Sequence, residues 1–185
     1  MLKLLKTALR HRHATVAYPA RPLDVDPNFR GKPQYDARQC IACGACTAAC
    51  PANALTMEND VANGLRRWSL NLGRCIFCAR CEEVCPTAAI VLSPEFELAV
   101  WRKEDLQQCA DFAICRCVEC GAPYAAQKEI DYAMALLVQA GQLSAEQAEA
   151  RRAQFETCPA CKQKHNTIPT TRITLSRHLM PEASQ

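Results

Sequence analysis

Eight of the fourteen cysteines fall into two copies of one spacing pattern. The first copy is Cys40-x2-Cys43-x2-Cys46-x3-Cys50-Pro51, and the second is Cys75-x2-Cys78-x2-Cys81-x3-Cys85-Pro86. This spacing is the ligand run of a 4Fe–4S cluster, and two runs predict two clusters. The chemistry that such clusters supply is the transfer of single electrons.

The spacing also predicts which cysteines share a cluster. Three cysteines at x2 intervals let one loop wrap around three iron corners, and the fourth points away to serve the other cluster. Cluster I is therefore expected to take Cys40, Cys43, Cys46 and Cys85, and cluster II to take Cys75, Cys78, Cys81 and Cys50. Because the ligands cross between the runs, neither half is expected to fold without both clusters.

Two other uses of eight cysteines fit the sequence less well. Disulfides would suit an exported domain, but no signal peptide is visible, and free thiols indicate a reducing compartment. Zinc sites usually take two separated Cys-x2-4-Cys units rather than three consecutive x2 steps followed by Cys-Pro. No run of 18 apolar residues predicts a membrane span.

The elements that position the cysteines repeat with a period of 35, from Cys40 to Cys75. Each half is predicted to have a cysteine loop, a helix beginning near the fourth cysteine, and a strand. The strands are expected at Ala54–Met57 and Ala89–Leu92. Between the halves, Asn63-Gly64 predicts a hairpin turn, and the role of the following Trp68 stays open between contact and capping.

A second cysteine set lies nearer the C-terminus. Cys117-x2-Cys120 and Cys158-x2-Cys161 are paired units that predict a tetrahedral four-thiolate site for one ion, zinc ahead of iron. Cys115 is an alternative ligand with poorer spacing. A region of free thiols and a third iron–sulfur cluster are the other interpretations. Cys109 has no partner at ligand spacing and is expected to be a small buried residue.

Charge is concentrated at the N-terminus. Residues 1–39 hold eight Lys or Arg and three Asp or Glu, whereas the whole chain has a net charge of +3. Residues 1–12 predict a short amphipathic helix, and four prolines in 14–39 predict an extended arm that lies along a neighbouring subunit if it is ordered. The arm is therefore interpreted as a docking element for a partner or an anionic lipid surface.

The predicted fold class is α+β. It consists of an N-terminal amphipathic helix and docking arm (1–39), a bacterial-type two-cluster ferredoxin module (40–101), and a helical C-terminal extension (102–185). The four-cysteine site is expected to clamp a helical hairpin in that extension. The remaining elements predicted from periodicity are a strand at Phe96–Trp101 and helices at Lys103–Ala113, Ala125–Ala140 and Ser144–Phe155, the last with a Ser144/Gln147 capping box.

At this point the sequence resembles a known family. Both cysteine runs and Phe29-Arg30-Gly31 are similar to the two-cluster subunit shared by respiratory complex I and membrane-bound hydrogenases. The segments that are similar to the formate hydrogenlyase iron–sulfur subunit are Phe96 to Trp101, Gln127 to Ala133, and Cys158-Pro159-x-Cys161-Lys162. The resemblance covers nearly the whole chain.

The resemblance implies an electron-transfer subunit of a complex that oxidises formate and reduces protons. Its implied partners are the small and large nickel–iron hydrogenase subunits, a formate dehydrogenase-side iron–sulfur subunit and membrane anchor subunits, at the cytoplasmic face of the inner membrane. The alternatives are the equivalent subunit of NADH:quinone oxidoreductase or another membrane-bound hydrogenase, or a free ferredoxin. The sequence shows no catalytic constellation, so no enzyme activity of its own is expected. Balanced charge around the paired Cys-x2-Cys units at Cys117 to Cys161 argues against nucleic acid as a partner.

Overall fold

The protein is described from a computed structural model, for residues 2–11 and 15–166. Its strands are β1 Pro33–Tyr35, β2 Leu55–Asp60, β3 Leu65–Asn71, β4 Ile90–Leu92, β5 Gln107–Arg116 and β6 Pro123–Ala126. Its α-helices are α1 Leu2–Arg10, α2 Ala45–Ala49, α3 Arg80–Glu83, α4 Gln127–Gln139, α5 Ala145–Ala150, α6 Arg152–Phe155 and α7 Pro159–Asn166. The α+β class predicted from the sequence is confirmed. The ends of the predicted helix at 1–12 and the stretch after 166 lie outside the described residues.

The two cysteine loops have matching backbones. Left-handed φ values recur at positions 35 residues apart, in the pairs Ala42/Phe77 (56°/54°), Gly44/Ala79 (79°/67°) and Asn53/Ala88 (48°/51°). A non-glycine residue is strained in this region unless its surroundings hold it there, and such strain concentrates at functional sites. The repeat predicted from the cysteine spacing is therefore present in the backbone.

The short helices lie before the fourth cysteine of each run, which corrects the predicted helix start. α2 ends at Ala49, and Cys50 is extended at φ −75° and ψ 109°. Proline disfavours helical backbone in the residue that precedes it, so Pro51 ends the helix at that point. The fourth cysteine consequently leaves the helix in an extended conformation.

Two antiparallel sheets support the loops. β1 pairs with β4, with Tyr35 opposite Ile90, and the larger sheet has the strand order β2-β3-β5-β6. β2 and β3 form the predicted hairpin through Gly64, and Trp68 is fully buried in the core beneath it. Trp68 is therefore a core residue of the module.

The predicted helix at Lys103–Ala113 is wrong. A 3₁₀ turn at Lys103–Leu106 leads into β5, which pairs with β3 over seven residues, from Gln107 opposite Asn71 to Ala113 opposite Leu65. β5 covers an edge of the hairpin that would otherwise present unpaired backbone groups. The larger sheet therefore crosses the predicted boundary between residues 101 and 102.

The predicted strand at Phe96–Trp101 is also wrong, because this segment has no strand partner in the described part of the chain. Phe96 instead packs edge-on against Tyr18 at 5.4 Å, and the Tyr18 hydroxyl donates a hydrogen bond to Glu97. The N-terminal arm thus contacts its own chain at this point, which corrects the expectation that an ordered arm must lie along a neighbouring subunit. Gly31 lets the arm lie against the backbone of Glu95, since a Cβ at this position would lie 2.1 Å from the Glu95 carbonyl oxygen.

The C-terminal part packs onto the end of the large sheet. α4 follows β6 directly, and the predicted capping box at the start of α5 is present, with Ser144 and Gln147 each bonding the other's backbone N–H. Ile130, Met134 and Ala148 form a second small core. Among residues 2–11 and 15–166, no helix is long and apolar enough to cross a membrane.

Candidate metal centres

The eight cysteines of the two runs surround two cavities, with four cysteines around each. The cysteines that line cavity I are Cys40, Cys43, Cys46 and Cys85. The cysteines that line cavity II are Cys75, Cys78, Cys81 and Cys50. Each cavity thus receives three sulfurs from one run and the fourth from the other, which is the grouping that the spacing predicts.

The strands cross both cavities, and residues two apart on one strand face different cavities. Side chains that line cavity I are Tyr35 of β1, Met57 of β2, Trp68 of β3 and Ile90 of β4. Side chains that line cavity II are Pro33, Leu55, Leu70 and Leu92 of the same four strands. Alternate residues of a strand face the same side of the sheet, so the same four strands line both cavities.

Backbone N–H groups point at the sulfurs in a repeated pattern. Ala42 and Phe77 donate to Cys40 and Cys75, at 3.3 and 3.4 Å. The fourth cysteines receive the equivalent bonds, from Ala54 to Cys50 at 3.3 Å and from Ala89 to Cys85 at 3.2 Å. Hydrogen bonds to the charged form favour it, so these donors stabilise thiolates, the form that binds iron.

Burial acts in the opposite direction on several thiols. It raises the pKa of Cys46 and Cys75, and it raises the pKa of Cys81 to about 11. At Cys85 burial also raises the pKa, but hydrogen bonds from Thr87, Ala89 and Ile90 together outweigh it and lower the pKa. Burial disfavours a thiolate unless a positive charge lies near it. A cationic iron core bound in each cavity would supply that charge and favour the ionised form.

Cavity I has two polar aromatic side chains that sequence reasoning did not assign to a site. The Trp68 Nε1–H donates to the Cys46 sulfur at 3.4 Å. The Tyr35 ring stacks on Trp68, with centroids 3.7 Å apart and planes 10° from parallel. Tyr35 lies in a three-residue strand inside a proline-rich arm, so no periodicity in the sequence marks it.

The second cysteine set forms a separate group. The Sγ atoms of Cys117, Cys120, Cys158 and Cys161 all lie within 4.8 Å of one another. Cys120 and Cys158 are 3.7 Å apart at sulfur, close to the roughly 3.8 Å between ligands of a tetrahedral ion with 2.3 Å zinc–sulfur bonds. The donor set therefore fits one tetrahedral metal ion.

Local backbone turns build this group. Cys117 and Cys120 lie on the turn between β5 and β6, where Gly121 takes a left-handed φ of 70°. Cys158 precedes α7 and Cys161 lies in its first turn, and the Cys158 N–H donates to the Cys117 sulfur at 3.2 Å. This bond and the backbone N–H groups of Cys120 and Glu119 lower the pKa of Cys117, which favours its thiolate.

Neighbouring predicted residues lie outside this group. Cys115, the alternative ligand, is buried in the small core, where its thiol lies 3.8 Å from the Tyr124 hydroxyl. Cys109 is exposed beside Ser69, so the prediction that it is buried is wrong. It is exposed because β5 is a strand, on which Cys109 alternates with the core-facing residues.

Two crossed four-cysteine cavities on a pseudo-symmetric α+β scaffold define a bacterial-type ferredoxin of the two-cluster class. The chain matches the 4Fe-4S dicluster domain family over residues 39–89. It is 55% identical over 179 residues to formate hydrogenlyase subunit 6 of Escherichia coli (strain K12), covering 97% of this chain and 98% of that protein. The chain therefore belongs to the formate hydrogenlyase subunit 6 family of iron–sulfur electron-transfer proteins, as the resemblance in the sequence implies.

Two more distant similarities cover about half of the chain. NAD(P)H-quinone oxidoreductase subunit I of Prochlorococcus marinus (strain AS9601) is 42% identical over 104 residues, 53% of this chain and 50% of that protein. A chain of the membrane-bound sulfane sulfur reductase, an archaeal respiratory membrane complex, is 30% identical, with a TM-score of 0.40 over 55% of this chain and 58% of that one.

Proposed function

We propose that this protein is the electron-relay subunit of a formate hydrogenlyase complex and has no substrate site of its own. The observation that carries the proposal is the pair of cavities, each lined by four cysteines that come from both runs. Such a subunit connects a formate-oxidising branch to a proton-reducing nickel–iron hydrogenase. The 55% identity over nearly the whole chain to formate hydrogenlyase subunit 6 supports this placement.

In this proposal each cavity holds one 4Fe–4S cluster on the four cysteines that line it. When bound, the clusters supply one-electron oxidation and reduction. The chain holds the thiolates in place with paired backbone N–H groups and excludes water with the aliphatic and aromatic side chains of β1 to β4. Since Cys50 and Cys85 exchange between the runs, both sites form or fail as one unit.

We propose a structural role for the second cysteine group, with one zinc ion bound by Cys117, Cys120, Cys158 and Cys161 and iron as the second choice. Three of these four side chains are buried, which suits a closed structural site rather than one that keeps an open position. The ion would join the turn after β5 to the start of α7. It would thereby hold α4, α5 and α6 against the end of the large sheet.

We place the subunit peripherally at the cytoplasmic face of the inner membrane. Its partners would be the hydrogenase small and large subunits, a formate dehydrogenase-side iron–sulfur subunit and membrane anchor subunits. Helix α1 supports docking, because Leu2, Leu4, Leu5 and Leu9 are all exposed on a helix that also carries basic residues. An exposed apolar stripe of this kind indicates a surface that another molecule covers.

Metal analysis of the purified full chain tests the site assignment. About eight iron atoms and one zinc per chain are expected, with two one-electron reduction steps by EPR-monitored titration. About nine iron atoms and no zinc would indicate that the C-terminal four-cysteine group binds iron instead of zinc. About four iron atoms with a single reduction step would contradict the two-cluster proposal.

Isolation of the complex tests the placement. Affinity-tagged chain is expected to co-purify with nickel–iron hydrogenase subunits and formate-dependent hydrogen production, whereas the chain alone oxidises neither formate nor hydrogen. The similarity to a quinone oxidoreductase subunit over 53% of the chain gives the alternative, co-purification with a quinone-reducing complex. A chain that elutes alone as a monomer would favour a free ferredoxin.

A further inference from the structure

The two cavities differ in the polar hydrogens that their strands present. β1 and β3 place Tyr35 and Trp68 on cavity I, and they place Pro33 and Leu70 on cavity II, two residues along the same strands. The side chains of Pro33 and Leu70 carry no polar hydrogen, whereas Tyr35 carries an O–H and Trp68 an N–H. The scaffold is therefore symmetric in its backbone and asymmetric in its donors.

Both donors on cavity I are buried. Trp68 is 0% exposed, and its indole N–H already points at the Cys46 sulfur. The Tyr35 hydroxyl is buried, and although no atom among the described residues meets strict hydrogen-bond geometry with it, burial and the neighbouring Cys40 thiol raise its pKa. A buried tyrosine hydroxyl normally finds an acceptor, and the four cysteines of cavity I lie on the same cavity as Tyr35.

The charge on cavity II does not balance this difference. Arg80 lines cavity II, but its side chain is 57% exposed and forms an ion pair with Glu83. An exposed, paired guanidinium is screened by solvent and by its partner. Positive charge from Arg74 and Arg80 would raise the potential in cavity II if both guanidinium groups lay near it, but Arg80 lines that cavity and Arg74 is not part of its lining.

We infer that Trp68 and Tyr35 raise the reduction potential in cavity I above that in cavity II, so that the first electron added to the chain resides in cavity I. Hydrogen bonds to sulfur stabilise the more negative, reduced state and are one of the factors that set such potentials. The step adds one electron and moves no proton, because both hydrogens stay on their donor atoms. This inference rests on the proposed two-cluster assignment. Tyr35 and Trp68 are positioning residues, because they act through the cysteine sulfurs that line cavity I.

A redox titration of the full chain, monitored by EPR with dithionite as reductant, tests the order. Tyr35→Phe removes the hydroxyl and keeps the ring, and Trp68→Phe removes the indole N–H and keeps a smaller aromatic ring. The higher of the two midpoint potentials is expected to fall in each single variant. In the double variant it should fall by about 59 mV, which corresponds to a tenfold change in the one-electron equilibrium constant. Trp101→Phe and Tyr18→Phe, at exposed residues that line neither cavity, are the matched controls and should shift neither midpoint.

The other outcomes are distinct. A fall in the lower midpoint would place cavity I second and overturn the inference. Equal shifts of both midpoints, or no shift, would show that the two side chains have no local effect and would also overturn it. A chain that holds fewer than about eight iron atoms before any substitution would instead contradict the proposed two-cluster function.

A second measurement needs no substitution at the site. The chain has two tryptophans, and Trp101 is fully exposed, so ¹⁵N-indole labelling reports mainly on Trp68 near the cavity. Pulsed EPR of the protein reduced by one electron is expected to show a ¹⁵N coupling that Trp101→Phe leaves unchanged. A coupling that arises only after the second reduction, or none at all, would overturn the inference.

Discussion

The two cysteine regions of this chain hold their sulfurs in different ways. In the ferredoxin module, eight partly buried cysteines line the walls of two cavities. In the C-terminal group, four sulfurs lie within 4.8 Å of one another. The first arrangement surrounds a cavity with four sulfurs, and the second brings four sulfurs close enough to share one ion. Both regions use Cys-x2-Cys units, so the cysteines that follow each unit, rather than the unit itself, determine what is bound.

The regions also differ in how their ligands cross the chain. The module exchanges its fourth cysteines between runs 35 residues apart, whereas the C-terminal group joins two pairs separated by α4, α5 and α6. Loss of a single ligand should therefore damage both halves of the module. In the C-terminal group it should release one segment only. The following predictions test this difference.

The largest effect is expected from Cys85→Ser. Cys85 belongs to the second run but lines cavity I, so its loss should remove the cluster held by the first run. Iron is expected to fall from about eight to about four atoms per chain or fewer, with loss of soluble protein because the halves depend on each other. Iron analysis and visible absorbance measure this.

The matched control is Cys109→Ser, an exposed cysteine on β5 that lies outside both regions. It should leave iron content and solubility unchanged. If Cys85→Ser retained about eight iron atoms, the crossed assignment would be wrong.

A smaller and more local effect is expected from Cys158→Ala. Cys158 is buried, and its sulfur lies 3.7 Å from that of Cys120 and accepts a hydrogen bond from the Cys161 N–H, so the single ion should be lost. A structural zinc contributes folding free energy directly. We expect rapid proteolysis between β6 and α7 while about eight iron atoms remain in the module.

Cys115→Val is the matched control, because Cys115 is also buried nearby but packs in the small core. This similar-sized apolar substitution should cost less than about 1.5 kcal/mol and keep the ion. Loss of the ion from the valine variant would indicate that Cys115 is a ligand. Loss of iron from the Cys158 variant would show that the two regions are not separable.

The same contrast explains what the sequence could predict. The grouping of the cluster ligands depends on spacing within the 11 residues of each run, and the capping box at Ser144 depends on four residues. Both can therefore be predicted from short segments of sequence. β5 is different, because its partner β3 lies about 40 residues earlier in the chain. Phe112 and Ile114 are two residues apart, the spacing of one strand face, but so short an apolar pattern does not separate strand from helix until that partner is known.

The donors on cavity I show the same limit. A tryptophan in a hairpin and a tyrosine in an arm come together only when β1 pairs with β4 and β3 pairs with β2. The resulting stack, at 3.7 Å, depends on two separate strand pairings. Local spacing predicts which sulfurs bind iron, but side chains that adjust those sulfurs come from distant segments.

The smallest effect is expected at the junction of the two regions. Lys128 of α4 donates to the carbonyl oxygens of Ala37 and Arg38, at 3.0 and 2.8 Å, immediately before the first cysteine run. Lys128→Met keeps the aliphatic stem and removes these bonds, which should cost about 1 kcal/mol of folding free energy in this exposed setting. Lys103→Met, on the 3₁₀ turn, is the control. Thermal unfolding of the two variants measures the difference. Equal unfolding temperatures would mean that the Lys128 bonds do not connect the two regions.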